Sequence, residues 1–184
     1  FLDDFDYRFT DKMKDNLTKL QEAMAARLAE NGYSEEYIAT HPFTLREVMI
    51  VASMVQQEAY SITDSYLVSS VIYNRLCSKL YPCLQIDATI QYALDERKEV
   101  LSNADKAIIS PYNTYTNAGL PAGPIANPGI NSIRAALYPA ETDYYFYALG
   151  NDGVHKFSKT YYEHQDFLAS LEGDTTDEAA PAEQ

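Results

Sequence analysis

The 184-residue sequence predicts an α+β domain, mostly helical, with a small antiparallel sheet or hairpin near the C-terminus. Three observations carry that expectation. Apolar residues recur at helical spacing in successive stretches of the chain. One pair of aromatic-rich runs, DYYFYAL and VHKFSKT, flanks Gly150-Asn151-Asp152-Gly153 and reads as a hairpin. No internal repeat and no glycine-rich phosphate loop breaks the order, and the length suffices for one domain with a sizeable core.

The opening FLDDFDYRF is aromatic and is expected to be a strand or extended segment packed on the core. Thr10 stands as a cap before an amphipathic helix whose stripe is Met13, Leu17, Leu20, Met24 and Leu28, with Asn31-Gly32 as its stop. Ser34 opens a short helical turn, EEYIAT, which His41-Pro42 closes. The next helix, Leu45 to about Ala59, is apolar nearly all round. Leu45, Val48, Met49, Ala52, Val55 and Ala59 share one face, and Ile50, Val51 and Met54 cover much of the rest. Such a helix is a buried one. Thr44 and Glu47 form a T-x-x-E capping box at its start.

After a break at SITD, with Thr63 or Asp64 as cap, Leu67, Val68, Val71, Ile72, Leu76 and Leu80 mark a further helix, stopped by Tyr81-Pro82. Asp87 is placed to cap ATIQYAL, and Ser102 with Asp105 forms a capping box for NADKAII. The stretch from Ser110 to Gly129, SPYNTYTNAGLPAGPIANPG, differs in kind, with four prolines, three glycines and almost no periodicity. Irregular loops of this length are functional or disordered. This one holds Tyr112, Tyr115, Leu120 and Ile125, so it is expected to be ordered, a stiff polar wall suited to cradling a substrate. A helix around Ile130 to Leu137 precedes the hairpin, and a last helix, Tyr161 to Leu171, follows it.

Charge excludes some functions. Fourteen Lys and Arg face 27 Asp and Glu, a net charge of −13 with a pI near 4.5. That sign repels phosphate backbones and anionic membrane surfaces, so no nucleic-acid partner is expected. Residues 172–184, EGDTTDEAAPAEQ, hold five acids and no base and are expected to be a disordered acidic tail, which leaves 1–171 as a single domain. No run approaches the roughly 20 apolar residues of a membrane span. The chain starts at Phe1 and is expected to be a piece of a longer protein. Cys77 and Cys83 bracket SKLYP. They admit two readings: a short-loop disulfide contributing about 2 kcal/mol, or two unrelated thiols. Neither has the His or Cys neighbours of a zinc site, so no metal or other cofactor is expected.

Three constellations offer chemistry. Glu58 falls at the edge of the apolar arc of the buried helix, at its C-terminal end. Partial burial and the negative end of the helix dipole both favour the protonated carboxyl, as a general acid requires. The alternative is a glutamate reaching water from a frayed helix end. A second constellation pairs Glu58 with Asp87, as an ordinary glycosidase would, although Asp87 also reads as a helix cap. The third sets Ser110 or Ser158 beside His155 or His164, with no G-x-S-x-G elbow to support it. In a hairpin strand, His155 reads as structural or surface.

The blocks ASMVQQEA, VIYNRL, LQIDAT, SPYNTY, GLPAGPIANPG, SIRAALYPA and HKFSKT, with EH shortly after, resemble in content and order the catalytic domain of the YceG-like family over about Leu45 to His164. The segment before Leu45 is less similar. The family's membrane anchor and LysM-like module are expected to lie outside this stretch of sequence. This resemblance implies a lytic transglycosylase acting on peptidoglycan glycan strands at the extracytoplasmic face of a bacterial membrane, with cell-wall synthesis machinery as a further partner. Its members cleave the β-1,4 bond after N-acetylmuramic acid within a strand and leave a 1,6-anhydro-muramyl end. The family's catalytic glutamate closes S-[IM]-V-x-x-E, which is Glu58 here. Gln56-Gln57 stands where Glu-Lys is frequent in the family, and Ala88 where proline is usual.

Under that resemblance one carboxyl suffices. Gln85, Asp87, Ser110, Tyr112, Asn113, Thr114, Tyr115 and Asn127 are the expected substrate-positioning residues. The competing expectations are a peptidoglycan hydrolase using Glu58 with Asp87, and a non-catalytic glycan-binding domain of the cell envelope.

Overall fold

The computed structural model describes residues 11–177, with side chains from 13 to 171. The expected opening strand and the Thr10 cap lie outside the described residues. The architecture is α+β and dominated by helices: α1 (Asp11–Glu30), α2 (Glu35–Thr40), α3 (Leu45–Glu58), α4 (Ile62–Leu76), α5 (Asp87–Ala93), α6 (Asn103–Lys106), α7 (Ile130–Leu137), β1 (Phe146–Leu149), β2 (His155–Ser158) and α8 (Tyr161–Asp177). No described helix is long and apolar enough to cross a membrane.

Helix α3 is the centre of the core. Its residues Val48 and Ile50 through Val55 are buried, as an all-round apolar pattern demands. The Thr44–Glu47 capping box fixes its start, with the Thr44 hydroxyl accepting from the Glu47 N–H and the Glu47 carboxylate accepting from the Thr44 N–H. Helices α4 and α7 pack against it. They bring Val68, Ile72 and Tyr73 from one side and Ile133, Ala135 and Ala136 from the other. The Tyr73 hydroxyl donates to the Ala136 carbonyl at 2.8 Å, so even this buried phenol is satisfied. Leu20 and Met24 of the α1 stripe close the core from outside.

Local signals failed where a nearer or more distant partner won. Helix α4 is capped by Ser61, whose Oγ accepts from the Asp64 N–H, and neither Thr63 nor Asp64 serves as cap. It ends at Leu76, so Leu80 lies beyond it and is exposed. Asp87 is the first residue of α5, not its cap; Ile86 occupies the cap position without a side-chain bond. The Ser102–Asp105 box forms as expected.

β1 and β2 pair antiparallel, with Phe146 opposite Ser158 and Leu149 opposite His155. The turn between them needs Gly153 at φ +75°, a left-handed conformation that glycine adopts without strain. Helix α8 continues to Asp177, past the expected end at Leu171; residues 178–184 lie outside the described residues. Cys77 and Cys83 are free thiols, Cys77 buried against Met24 with its pKa pushed up to about 11 by burial.

The Ser110–Gly129 loop is ordered by specific ties. The Asn113 amide donates to the carbonyls of Lys106 and Ile108, and its Oδ1 accepts from the N–H groups of Tyr115 and Thr116. Two side chains of α3 hold the far end. The Ser53 hydroxyl accepts from the Ile125 N–H, and Gln56 Oε1 accepts from the Gly129 N–H and the Ser132 hydroxyl.

Candidate active site

The C-terminal end of α3 opens onto a cleft of about 780 Å³. Its walls come from the end of α3, the start of α5, the hairpin and part of α8, with Glu58 among the lining residues. Glu58 is the last residue of α3, and the chain turns extended at Ala59, so its carboxyl leaves the core just as the helix stops.

Both carboxyl oxygens are engaged. Oε1 accepts from the Ala88 N–H at 3.1 Å, in the first turn of α5, and Oε2 accepts from the Tyr147 hydroxyl at 3.0 Å, from β1. Burial raises the Glu58 pKa and is the largest influence. The bonds from Ala88 and Tyr147 pull it down, Asp87 pushes it up and His155 pulls it down, and the net direction is upward. The Tyr147 phenol lies well above its ordinary range through its own burial and the neighbouring Glu58, so it remains a donor.

Asp87 is exposed in the cleft. Its carboxylate accepts from the Tyr115 hydroxyl and pairs with Lys106 at 3.3 Å, and Lys106 also lies 4.9 Å from the centre of the Tyr115 ring. Burial, then Asp87, then Glu58 hold the Tyr115 phenol far above its ordinary value. Asp87 thus forsakes its helix end for a residue 28 positions later, a tertiary competition invisible to local spacing.

Of the other expected positions, Gln85 and Tyr115 line the cleft with Asp87. Asn113 and Thr114 do not. Both are buried, Asn113 bracing the loop, and the Thr114 hydroxyl accepting from the Ile86 N–H and bonding Thr89. Tyr112 packs its ring on Tyr92. The Ser110 hydroxyl accepts from the Tyr112 N–H, and Ser110 faces a separate hollow, while Asn127 is exposed away from the cleft lining. Of the loop, only Tyr115 and Ile125 line the cleft. The rest of the loop lies outside the cleft lining. Among the described residues no hydrogen bond joins Ser110 or Ser158 to His155 or His164.

Tyr147 and Arg75 escaped the sequence, and His155, weighed only beside a serine, has other partners. Tyr147 sat in a run that announced only a strand. His155 bonds through Nδ1 to buried Asp64 at 2.7 Å and sets its ring edge-on to Tyr147, with ring centres 5.2 Å apart. Arg75 interrupts the apolar stripe of α4, a signal that could have been read, since a charge on a buried helix needs a tertiary reason.

Together, fold and site define a helical α+β domain built around a cleft, with a carboxyl whose pKa burial raises at the end of its central helix. The model of the YceG-like family matches residues 1–170, and the chain belongs to that family. It is 38% identical over 151 residues to the endolytic murein transglycosylase of Bacillus subtilis (strain 168), an alignment covering 80% of this chain and 41% of that protein. It is 33% identical over 131 residues to the endolytic murein transglycosylase of Streptococcus pneumoniae, covering 68% of this chain and 22% of that one. The crystal structure of a YceG-like protein from Listeria monocytogenes matches with a TM-score of 0.65 and 35% identity, over 84% of this chain and 43% of that one. The chain therefore spans less than half the length of these relatives. The family match extends to the N-terminal helices, where the residue blocks alone were less telling.

Proposed function

We propose that this domain is a peptidoglycan lytic transglycosylase that cleaves the β-1,4 bond after N-acetylmuramic acid within glycan strands, leaving 1,6-anhydro-muramyl ends. Glu58 is its single general acid/base. The observation that carries this reading is the setting of Glu58: a carboxyl at the wall of a sugar-sized cleft, kept toward its protonated form by burial and fixed by one donor on each oxygen.

The chemistry follows from those features. Glu58 in its acid form protonates the glycosidic oxygen as the C1–O4 bond breaks, and the departing sugar leaves as an alcohol. The resulting carboxylate takes the proton of the muramyl C6 hydroxyl as that oxygen closes onto C1. Both steps use one carboxyl, and no water enters the product. Ala88 and Tyr147 keep the carboxyl in place through the change of charge, and this positioning lowers the cost of the second step. Gln85, Asp87 and Tyr115 face the substrate; Ser110, Tyr112, Asn113, Thr114 and Asn127 act through the loop. Peptidoglycan lies outside the bacterial cytoplasmic membrane, which sets the compartment of the proposed activity.

Glu58→Gln tests the reading. The variant is expected to keep its fold and lose activity by roughly 10²–10⁴-fold, with mass spectrometry of wild-type digests showing anhydro-muramyl ends. Ends carrying an added water would instead support a hydrolase using Glu58 with Asp87. Binding of strands without turnover would support a glycan-binding module.

A further inference from the structure

Arg75 is buried, lines the cleft, and has no carboxylate partner among the described residues. Its guanidinium donates instead to neutral oxygens: Nε and Nη2 to the Cys83 carbonyl at 3.0 and 2.8 Å, Nη1 to the Tyr145 carbonyl at 3.0 Å, and Nη2 to Gln85 Oε1 at 2.8 Å. The rings of Tyr81 and Phe146 flank it, their centres 5.7 and 5.3 Å from Cζ. A cation buried this way is held in one place.

That placement decides which end of Gln85 meets a ligand. A guanidinium has donors and no acceptor, so the carboxamide must turn its oxygen toward Arg75. The NH₂ group is left over. Among the described residues nothing accepts from it, and Gln85 is exposed in the cleft. The backbone reinforces the aim. Gln85 sits at φ +56°, the one non-glycine residue with positive φ among those described, its N–H bonded to the Thr114 carbonyl at 2.9 Å. A left-handed conformation costs a side-chain-bearing residue energy, and such residues persist where the surrounding structure enforces them.

We propose that Arg75 is a positioning residue that fixes the Gln85 carboxamide as a hydrogen-bond donor to a carbonyl oxygen of the bound glycan. A hydroxyl would suit either end of a carboxamide, whereas a carbonyl only accepts and is matched by the NH₂ end that Gln85 is left presenting. This rests on the functional reading above and names the substrate group the site recognises. Two sources of such an oxygen occur in the proposed substrate, the N-acetyl groups and the lactyl substituent of the muramyl sugar.

The test is Gln85→Glu, assayed on soluble glycan strands. The carboxylate keeps an oxygen for Arg75, so the fold is held, but the donor is gone and an acceptor faces an acceptor. KM is expected to rise about tenfold or more with kcat nearly unchanged, while thermal melting stays at the wild-type value or above. Arg75→Lys should raise KM in the same way, because a compact ammonium lacks the planar fork that makes these four bonds; a loss of fold in that variant would leave Gln85→Glu to decide. De-N-acetylated strands then separate the sources. A penalty that vanishes or reverses on them assigns the acetyl carbonyl, and one that persists assigns the lactyl carbonyl. An unchanged KM for Gln85→Glu on both substrates overturns the proposal while leaving the transglycosylase intact. Wild-type digests without anhydro ends would instead overturn the functional reading.

Discussion

Replacing Tyr147 by Phe removes a single oxygen from the site. The ring stays, and with it the edge contact to His155 and the packing on Phe157. The lost group is the donor to Glu58 Oε2 at 3.0 Å. That bond favours the ionised carboxyl, so its removal raises the Glu58 pKa further. A hydrogen bond to a charged group contributes about 1.5–3 kcal/mol. Because Glu58 is only half-buried, the lower end applies, roughly tenfold in the protonation equilibrium. Under the proposed chemistry the active form in the first step is the acid, so activity declines as pH rises through the Glu58 pKa. The alkaline limb of the kcat/KM profile should therefore move to higher pH in Tyr147→Phe. Activity at the plateau should fall as well, since Oε2 is no longer held. Release of anhydro-muramyl products across a pH series measures both, and a carboxyl-carbon NMR titration of Glu58 follows the same equilibrium without turnover. A limb that stays in place, or moves to lower pH, would refute the claim that this bond tunes the acid.

Asp87→Asn should act in the opposite sense. Asp87 pushes the Glu58 pKa up, so neutralising it lowers that pKa and moves the alkaline limb to lower pH, with modest loss at the plateau; loss on the scale of Glu58→Gln would argue for a second catalytic carboxyl. Stability gives another check. A carboxyl whose folded pKa is raised contributes stability below its unfolded value and loses it as pH rises through the folded one. Near neutral pH, where Glu58 weighs against the fold, Glu58→Gln should melt at the wild-type temperature or above it. The advantage should shrink as pH falls through the raised Glu58 pKa and be gone once pH is below the ordinary glutamate value, as thermal melts across pH would show.

What could be read from the sequence was what depends on near neighbours. The buried character of α3, its capping box and the position of Glu58 all follow from spacing within one helix. The hairpin was legible for the same reason. What could not be read was the pairing of groups far apart in the chain. Asp87 has the position of a cap yet bonds Tyr115, and His155 reads as structural or surface with nothing to say that its partner is Asp64, 91 residues earlier. Tyr147 is one of sixteen tyrosines, and only the fold singles out its hydroxyl. The loop blocks spoke clearly of family, but the division of labour within them is set by burial. Asn113 and Thr114 are turned inward as braces, and Tyr115 outward.

The two bonds to Glu58 arrive from parts of the chain 59 residues apart, one from α5 and one from the hairpin, each to a different oxygen. The carboxyl is therefore a stitch between two pieces of the molecule as well as a store for a proton. A carboxylate accepts hydrogen bonds more strongly than a carboxylic acid. Each turnover, by discharging and recharging the acid, tightens and then slackens that stitch. Under the proposed chemistry the seam is drawn closest while the anhydro ring is being made, and it eases once the proton has returned and the two ends of the cut strand are ready to leave.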